Sequence, residues 1–166
     1  MNLTTTLETE CSEAVLVAVL SDLATYPSWM GIVAAVEPAE PDLDDPGPAW
    51  VVELRGQLGP LRRSKRLRMC RTTGGEQFPI TFERVERDDR THSLWQLTVE
   101  GSAVGHDTGH ASGSEQPRRT AIAVTLQYGG SLWIPLLSQV LDAEIDRSRI
   151  ALVEYLKAVE AGSANA

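Results

Sequence analysis

Few residues in this chain are of types that do chemistry, and their spacing rarely joins them. His106, Asp107 and His110 are metal-ligand types at a spacing that one helical turn could gather. They stand in GSAVGHDTGHASGSEQPRR, where nothing holds a helix or supplies an outer shell of hydrogen bonds. That stretch, from Gly101 to Arg118, therefore reads as a long, mobile hairpin loop, and no metal is expected. Ser, His and Asp all occur, but nothing in the sequence brings a triad together, and His92 falls on an outward strand face. No G-x-S-x-G elbow, phosphate loop or dinucleotide fingerprint is present, so no cofactor is expected.

The run RRSKRLRMCR suggests nucleic acid at first sight. It alternates with Leu61, Leu67 and Met69 as a strand would, so its charges divide between two faces. No aromatic interleaving accompanies it. A solvated strand face, with Arg66 opposite Glu53, is the reading adopted, and no nucleic-acid partner is expected. A formal net charge of -8 also repels polyanions over most of the surface.

At 166 residues, with 42% hydrophobic and 23% charged, the chain fits one globular domain. That length buries about two-thirds of the unfolded surface, enough for a core and an internal cavity. The start MNLTTTLETE lacks the basic and apolar regions of a secretory signal. The longest apolar runs, Ala14–Leu20 and Leu132–Leu137, are too short to span a bilayer. A cytoplasmic protein without membrane insertion is expected, with Cys11 and Cys70 as reduced thiols.

Periodicity supplies the elements. LTTTLETE alternates as a strand, with Leu3, Thr5 and Leu7 on one face. Ser12 stands where a cap belongs before the helical run AVLVAVLSDLA, in which Val15, Val19, Leu20 and Leu23 share a face while Ser21 and Asp22 point outward. Tyr26-Pro27 ends that helix, and PSWM begins a short second one. Ile32, Ala34 and Val36 form a strand stopped by Pro38, before the acidic, proline-rich loop EPAEPDLDDPGP.

Two hairpins follow. A turn at Gly59-Pro60 pairs Leu58 with Leu61, Val52 with Leu67 and Trp50 with Met69, and sets Glu53 opposite Arg66 on the other face. A turn near Asp88-Asp89 pairs Phe82 with Trp95 and Ile80 with Leu97, and puts Ser93 across from Arg84. The last strand, TAIAVTLQY, turns Ile122, Val124, Leu126 and Tyr128 inward. After Gly129-Gly130, Ser131 can cap a long helix reaching about Ala161, whose stripe of Ile134, Leu137, Leu141, Ile145, Ser148, Leu152 and Leu156 faces a core. Residues 1–161 are expected to form one domain and 162–166 a disordered tail.

The order is strand, two helices, six strands, long helix, an α+β arrangement in which a seven-stranded antiparallel sheet buries its apolar face by curving round the last helix. With VLSDLATYPSWMGIVAAVE, SKRLRMCR, FERVERDDRTHSLWQL and LQYGGSLWIP, this order resembles the helix-grip superfamily of START-related and Bet v 1-like domains. Asp22, Tyr26, Pro27 and Trp29 match its passage from helix to strand. The likeness extends to an actinobacterial branch described as polyketide cyclase/dehydratase-like.

The resemblance implies a cavity between the sheet and the long helix, holding a small hydrophobic molecule. Hairpin parity offers Trp50, Leu54, Leu67, Met69, Phe82, Trp95, Leu97, Val124, Leu126 and Tyr128 as its wall, with Leu137, Leu141 and Ile145 as roof. Taken singly, each of these side chains is better read as filling a core, and it is the fold the resemblance implies that favours a cavity. Arg63, Lys65, Arg84 and Glu86 fall on the same inner faces, and Gly56 opposite Arg63 leaves that side chain room. They either place charge in the pocket or reach water at the open end of the sheet. Three functions remain in view. The first is binding or transport of a lipid- or polyketide-like ligand. The second is a cofactor-free polyketide aromatase/cyclase or dehydratase, with Arg84 stabilising an enolate and Tyr128 relaying a proton. The third is a partner-binding adaptor using the Arg62, Arg66 and Arg68 face.

Overall fold

The computed structural model describes residues 2–58, 61–104, 119–129 and 134–163, the side chains of 57, 58, 61–63 and 134–142 excepted. Strand β1 (Asn2–Thr9) leads into helix α1 (Glu13–Leu20) and a 3-10 helix (Leu23–Ser28). Strands β2 (Val33–Pro38), β3 (Ala49–Leu58), β4 (Leu61–Thr73), β5 (Ile80–Arg84), β6 (Trp95–Val104) and β7 (Arg119–Tyr128) follow, then helix α2 (Ile134–Ser163). Among the described residues the strands form one antiparallel sheet in the order β1-β7-β6-β5-β4-β3-β2. It is a curled half-barrel with α2 on its inner face, the arrangement that alternation and the α2 stripe require.

Helix α1 buries Leu16, Val17, Val19 and Leu20. It stops at Leu20, short of the expected Tyr26. Asp22 interrupts it, because its Oδ1 accepts from the Ala24 N–H at 2.9 Å and starts the 3-10 turn instead. The carbonyls left over at the end of α1 are then satisfied from downstream. Thr25 Oγ1 donates to the Val19 carbonyl at 2.8 Å, and the Tyr26 hydroxyl to that of Leu20 at 3.0 Å. Ser21, expected outside, is buried, and its carbonyl accepts from Arg71 Nη1 at 2.9 Å. The Ser12 hydroxyl makes no cap bond; its backbone N–H instead donates to Glu160 Oε1 of α2 at 2.8 Å, tying the two helices together.

The β3–β4 register pairs Trp50 with Met69, Val52 with Leu67, Leu58 with Leu61 and Glu53 with Arg66, as the hairpin symmetry demands. The charges nonetheless choose other partners. Glu53 Oε1 accepts from Arg55 Nε at 2.9 Å, and Arg66 Nη2 reaches Glu37 Oε2 at 3.1 Å.

The β5–β6 register differs from expectation by two residues, with Phe82 opposite Leu97 and Ile80 opposite Val99. An even shift keeps every side chain on its expected face. The shift arises because residues 85–94 make no tight turn. The Val85 N–H bonds the Arg68 carbonyl and the Gly129 N–H bonds the Leu94 carbonyl, so both ends are tied to neighbouring strands. Ser93 therefore precedes β6, and Arg84 lies opposite Met69 of β4.

Gly101–Val104 also departs from the loop reading. These residues extend β6 and pair with Arg119–Ile122, while 105–118, including His106, Asp107 and His110, lie outside the described residues. Helix α2 runs to Ser163, past the expected end near Ala161.

Candidate functional site

Between the inner sheet face and α2 the described residues line a pocket of about 170 Å³. Leu54, Leu67, Met69, Phe82, Trp95, Leu97, Val124 and Leu126 stand on its sheet wall, and Ile145 on its helix wall. The wall is almost wholly apolar. Val52 and Leu67, paired across β3 and β4, form its floor beside Phe82.

Other candidates lie off this wall. Trp50 is buried behind it, edge-on to Phe82 with ring centroids 5.8 Å apart. Tyr128 packs edge-on against Trp95 at 4.9 Å. Lys65 Nζ sits over both rings, 5.4 Å from the Trp95 centroid and 6.0 Å from that of Tyr128. Loss of solvent around Lys65, and then the nearby Arg84 cation, lower its pKa from the ordinary lysine value. Arg84 is held by Glu86, Nε to Oε1 at 2.6 Å, with the Arg84 side chain 9% exposed. It is not among the wall residues, because that ion pair engages the guanidinium. The side chains of Arg63, Leu137 and Leu141 lie outside the described residues.

Several wall residues were not among the sequence candidates. Leu3, Thr5 and Leu7 of β1, and Tyr26, Trp29, Met30, Ile32 and Val33 from the 3-10 helix to β2, all contribute. The alternation of LTTTLETE was the signal for the first group. The second had only the family-like passage through Asp22, Tyr26, Pro27 and Trp29. From α2 come Glu144, Ser148 and Arg149. Ser148 belonged to the predicted stripe, and Glu144 lies one turn earlier on the same side. Its Oε2 receives Arg147 Nη2 at 2.8 Å, and its Oε1 lies 3.4 Å from Ser148 Oγ. Gly31 makes room for this carboxylate, since a Cβ there would lie 2.6 Å from Glu144 Oε1.

Tyr26 is a structural phenol. Complete burial, with Asp22 adding to it, holds its pKa well above the ordinary tyrosine value. Its proton stays on the oxygen and serves the Leu20 carbonyl. The pocket can thus enclose an apolar body, while its one described carboxylate is already bonded by neighbours.

Solved structures with this architecture make the comparison direct. A START superfamily protein from Mycobacterium smegmatis superposes with a TM-score of 0.66 at 14% identity, covering 95% of this chain and 98% of that one. The START-like helix-grip fold is the fold of this chain. A protein of Thermus thermophilus matches this chain with a TM-score of 0.68 at 13% identity, over 96% and 99% of the two chains. The Zhui aromatase/cyclase from a Streptomyces species matches it at 0.55 and 14% identity, over 95% and 93%. No protein-family model matches the sequence, and no curated protein matches it. Among the described residues, no helix is long and apolar enough to cross a membrane.

The outward basic face of β4 is divided. Arg66 reaches Glu37, while Arg68 is buried, with Nη2 on Asp45 Oδ2 at 2.6 Å. Arg68 is therefore withdrawn from the expected contact surface of Arg62, Arg66 and Arg68, because residues of the acidic loop cover it, and the side chain of Arg62 lies outside the described residues.

Proposed function

We propose that this chain binds and carries a small apolar molecule of about single-ring size between its sheet and α2. The observation that carries this reading is the apolar pocket of about 170 Å³. A dry cavity of about 150 Å³ accepts benzene, whereas drug-sized ligands occupy about 300–1,000 Å³. A single ring or short acyl chain suits this volume better than an extended polyketide. The carrier reading is favoured over the cyclase because Arg84 is engaged by Glu86 and neither Arg84 nor Tyr128 contributes to the wall. Cys11 and Cys70 are buried free thiols, which suits a reducing compartment such as the cytoplasm.

The test is solvent extraction of the purified chain with mass spectrometry of what is released, followed by titration of the emptied protein with single-ring aromatics. A retained apolar molecule, or saturable binding abolished by Leu97→Trp, supports the carrier. No retained molecule and no binding would remove it. Turnover of a polyketide mimic would restore the enzyme reading.

A further inference from the structure

Lys65 stands beside the pocket without a carboxylate of its own. It shares the inner face of β4 with the wall residues Leu67 and Met69, and its partner on β3 is Leu54, also of the wall. Its ammonium lies over Trp95, the wall residue that opens β6, and over Tyr128, which closes β7 and pairs with Trp95. Lys65 is therefore placed at the end of the pocket where β6 begins and β7 finishes. Among the described residues the two rings are what hold it, and no carboxylate forms an ion pair with it.

The charges around it leave that position positive. Glu86, the nearby carboxylate, is bonded by Arg84 at 2.6 Å. Loss of solvent, then the Arg84 cation, lower the Lys65 pKa, and Glu86 offsets the Arg84 effect only in part. In a chain of net charge -8, a positive spot beside an apolar pocket is a local arrangement. A lysine that only snorkelled to water would gain nothing from a second cation next to it. The other charged groups of the wall are already engaged, Glu144 with Arg147 and Arg149 with Asp146.

We infer that the pocket's ligand is an amphiphile, a single ring or short acyl chain ending in a carboxylate, with its apolar body against Trp95 and Leu54 and its carboxylate on the Lys65 ammonium. This rests on the pocket reading and deepens it from an apolar molecule to an acid. The apolar wall offers a carboxylate no partner, so the charged end is excluded from the interior. Lys65 is exposed, so the carboxylate stays partly hydrated while it meets the ammonium, which the rings of Trp95 and Tyr128 keep in place.

The probes are 3-phenylpropanoate and 3-phenylpropanamide, which match in shape and differ in charge, with toluene as a ring lacking a polar end. All three are titrated at neutral pH into the delipidated chain, Lys65→Met and, as a control elsewhere on the surface, Lys157→Met, with thermal melts to confirm folding. Methionine keeps an unbranched apolar stem beside the rings and removes the charge. The wild type should bind the acid more tightly than the amide. Lys65→Met should lower that preference about three- to tenfold, the loss expected of one partly solvated ion pair, and Lys157→Met should leave it unchanged. A second readout needs no substitution. Acetylation of Lys65 in the wild type, followed by peptide mass spectrometry, should slow more with saturating acid than with saturating amide.

Equal binding of acid and amide by the wild type overturns the inference while the pocket reading stands. So does a preference that survives Lys65→Met, one lost equally in Lys157→Met, or equal acetylation with either probe bound. Binding of toluene alone has the same consequence. Failure of all three probes to bind removes the pocket reading and this inference together.

Discussion

Arg68 grips Asp45 with both terminal nitrogens, Nη1 to Oδ1 at 2.8 Å and Nη2 to Oδ2 at 2.6 Å, the side chains being 8% and 6% exposed. Arg68 projects from the outer face of β4, where the strand would otherwise meet water. The acidic loop after β2 folds over it, and the Glu40 carbonyl accepts from Nη2 at 3.0 Å. Arg87 joins from the other side through Asp42 Oδ2 at 3.3 Å and the Glu40 carbonyl. Gly47 lets the loop press against β4, since a Cβ there would lie 2.5 Å from the Arg71 carbonyl oxygen.

Removing one member of this pair leaves the other buried without its counter-charge. Arg68→Ala should lower the Tm by about 5–10 °C. The double change Arg68→Met with Asp45→Leu should recover most of that loss, since two apolar groups need no partner. Calorimetry on the three proteins checks it. A double variant as unstable as the single one would show that the loop clamp depends on the charges themselves.

The same pair sets an acid limb. Arg68 holds the Asp45 carboxyl well below the ordinary aspartate value, burial opposing it only in part. A depressed folded-state pKa stabilises fully above the unfolded value, about 3.9, and that stability is lost as pH falls toward and through the folded value. The Tm advantage of the wild type over Asp45→Asn should therefore be constant from pH 7 to about pH 5 and shrink below about pH 4. An advantage that grew on acidification would contradict the arrangement.

Arg84→Met separates the carrier from the cyclase. With Arg84 bonded to Glu86 and off the pocket wall, the substitution should cost about 1–3 kcal/mol of stability. It should change the affinity for single-ring ligands by less than about twofold. Thermal melts and titrations on the same samples measure both, and a tenfold loss of affinity would return Arg84 to the site.

Gly101 and the residues beyond Val104 should behave oppositely. A Cβ on Gly101 would lie 2.3 Å from the Phe78 ring, which packs over the glycine. Gly101→Val should cost about 1–3 kcal/mol by overpacking. Replacing 105–118 with a short glycine turn should leave the Tm within a few degrees, because halving a loop changes closure entropy by only about 0.6 kcal/mol.

Thiol labelling gives a further check. Burial, with the Asp45 carboxylate adding to it, pushes the Cys70 thiol up to about 11, and the residue is 0% exposed. Cys70 should resist iodoacetamide at pH 8 in the native state and react once denatured. Rapid native labelling would mean that the loop over Arg68 opens readily.

What the amino-acid sequence determined by itself was local or symmetric. The β3–β4 register was legible because the inner pairs Trp50–Met69 and Val52–Leu67 and the outer pair Glu53–Arg66 agree in one alignment, and a one-residue slip breaks all of them. The element order followed from changes of period between strand and helix. Tertiary structure decided the rest. Parity kept Phe82 and Trp95 on the inner face, but the two-residue offset of β6 came from the bonds Val85–Arg68 and Gly129–Leu94 to neighbouring strands. Alternation put Arg68 outward, yet it is buried because a loop more than twenty residues earlier in the chain covers it. Parity also could not tell wall from core. Trp50 and Leu54 share one face of one strand, and only Leu54 borders the pocket. Alternation specifies a direction, whereas burial and cavity depend on what the rest of the chain brings to that side.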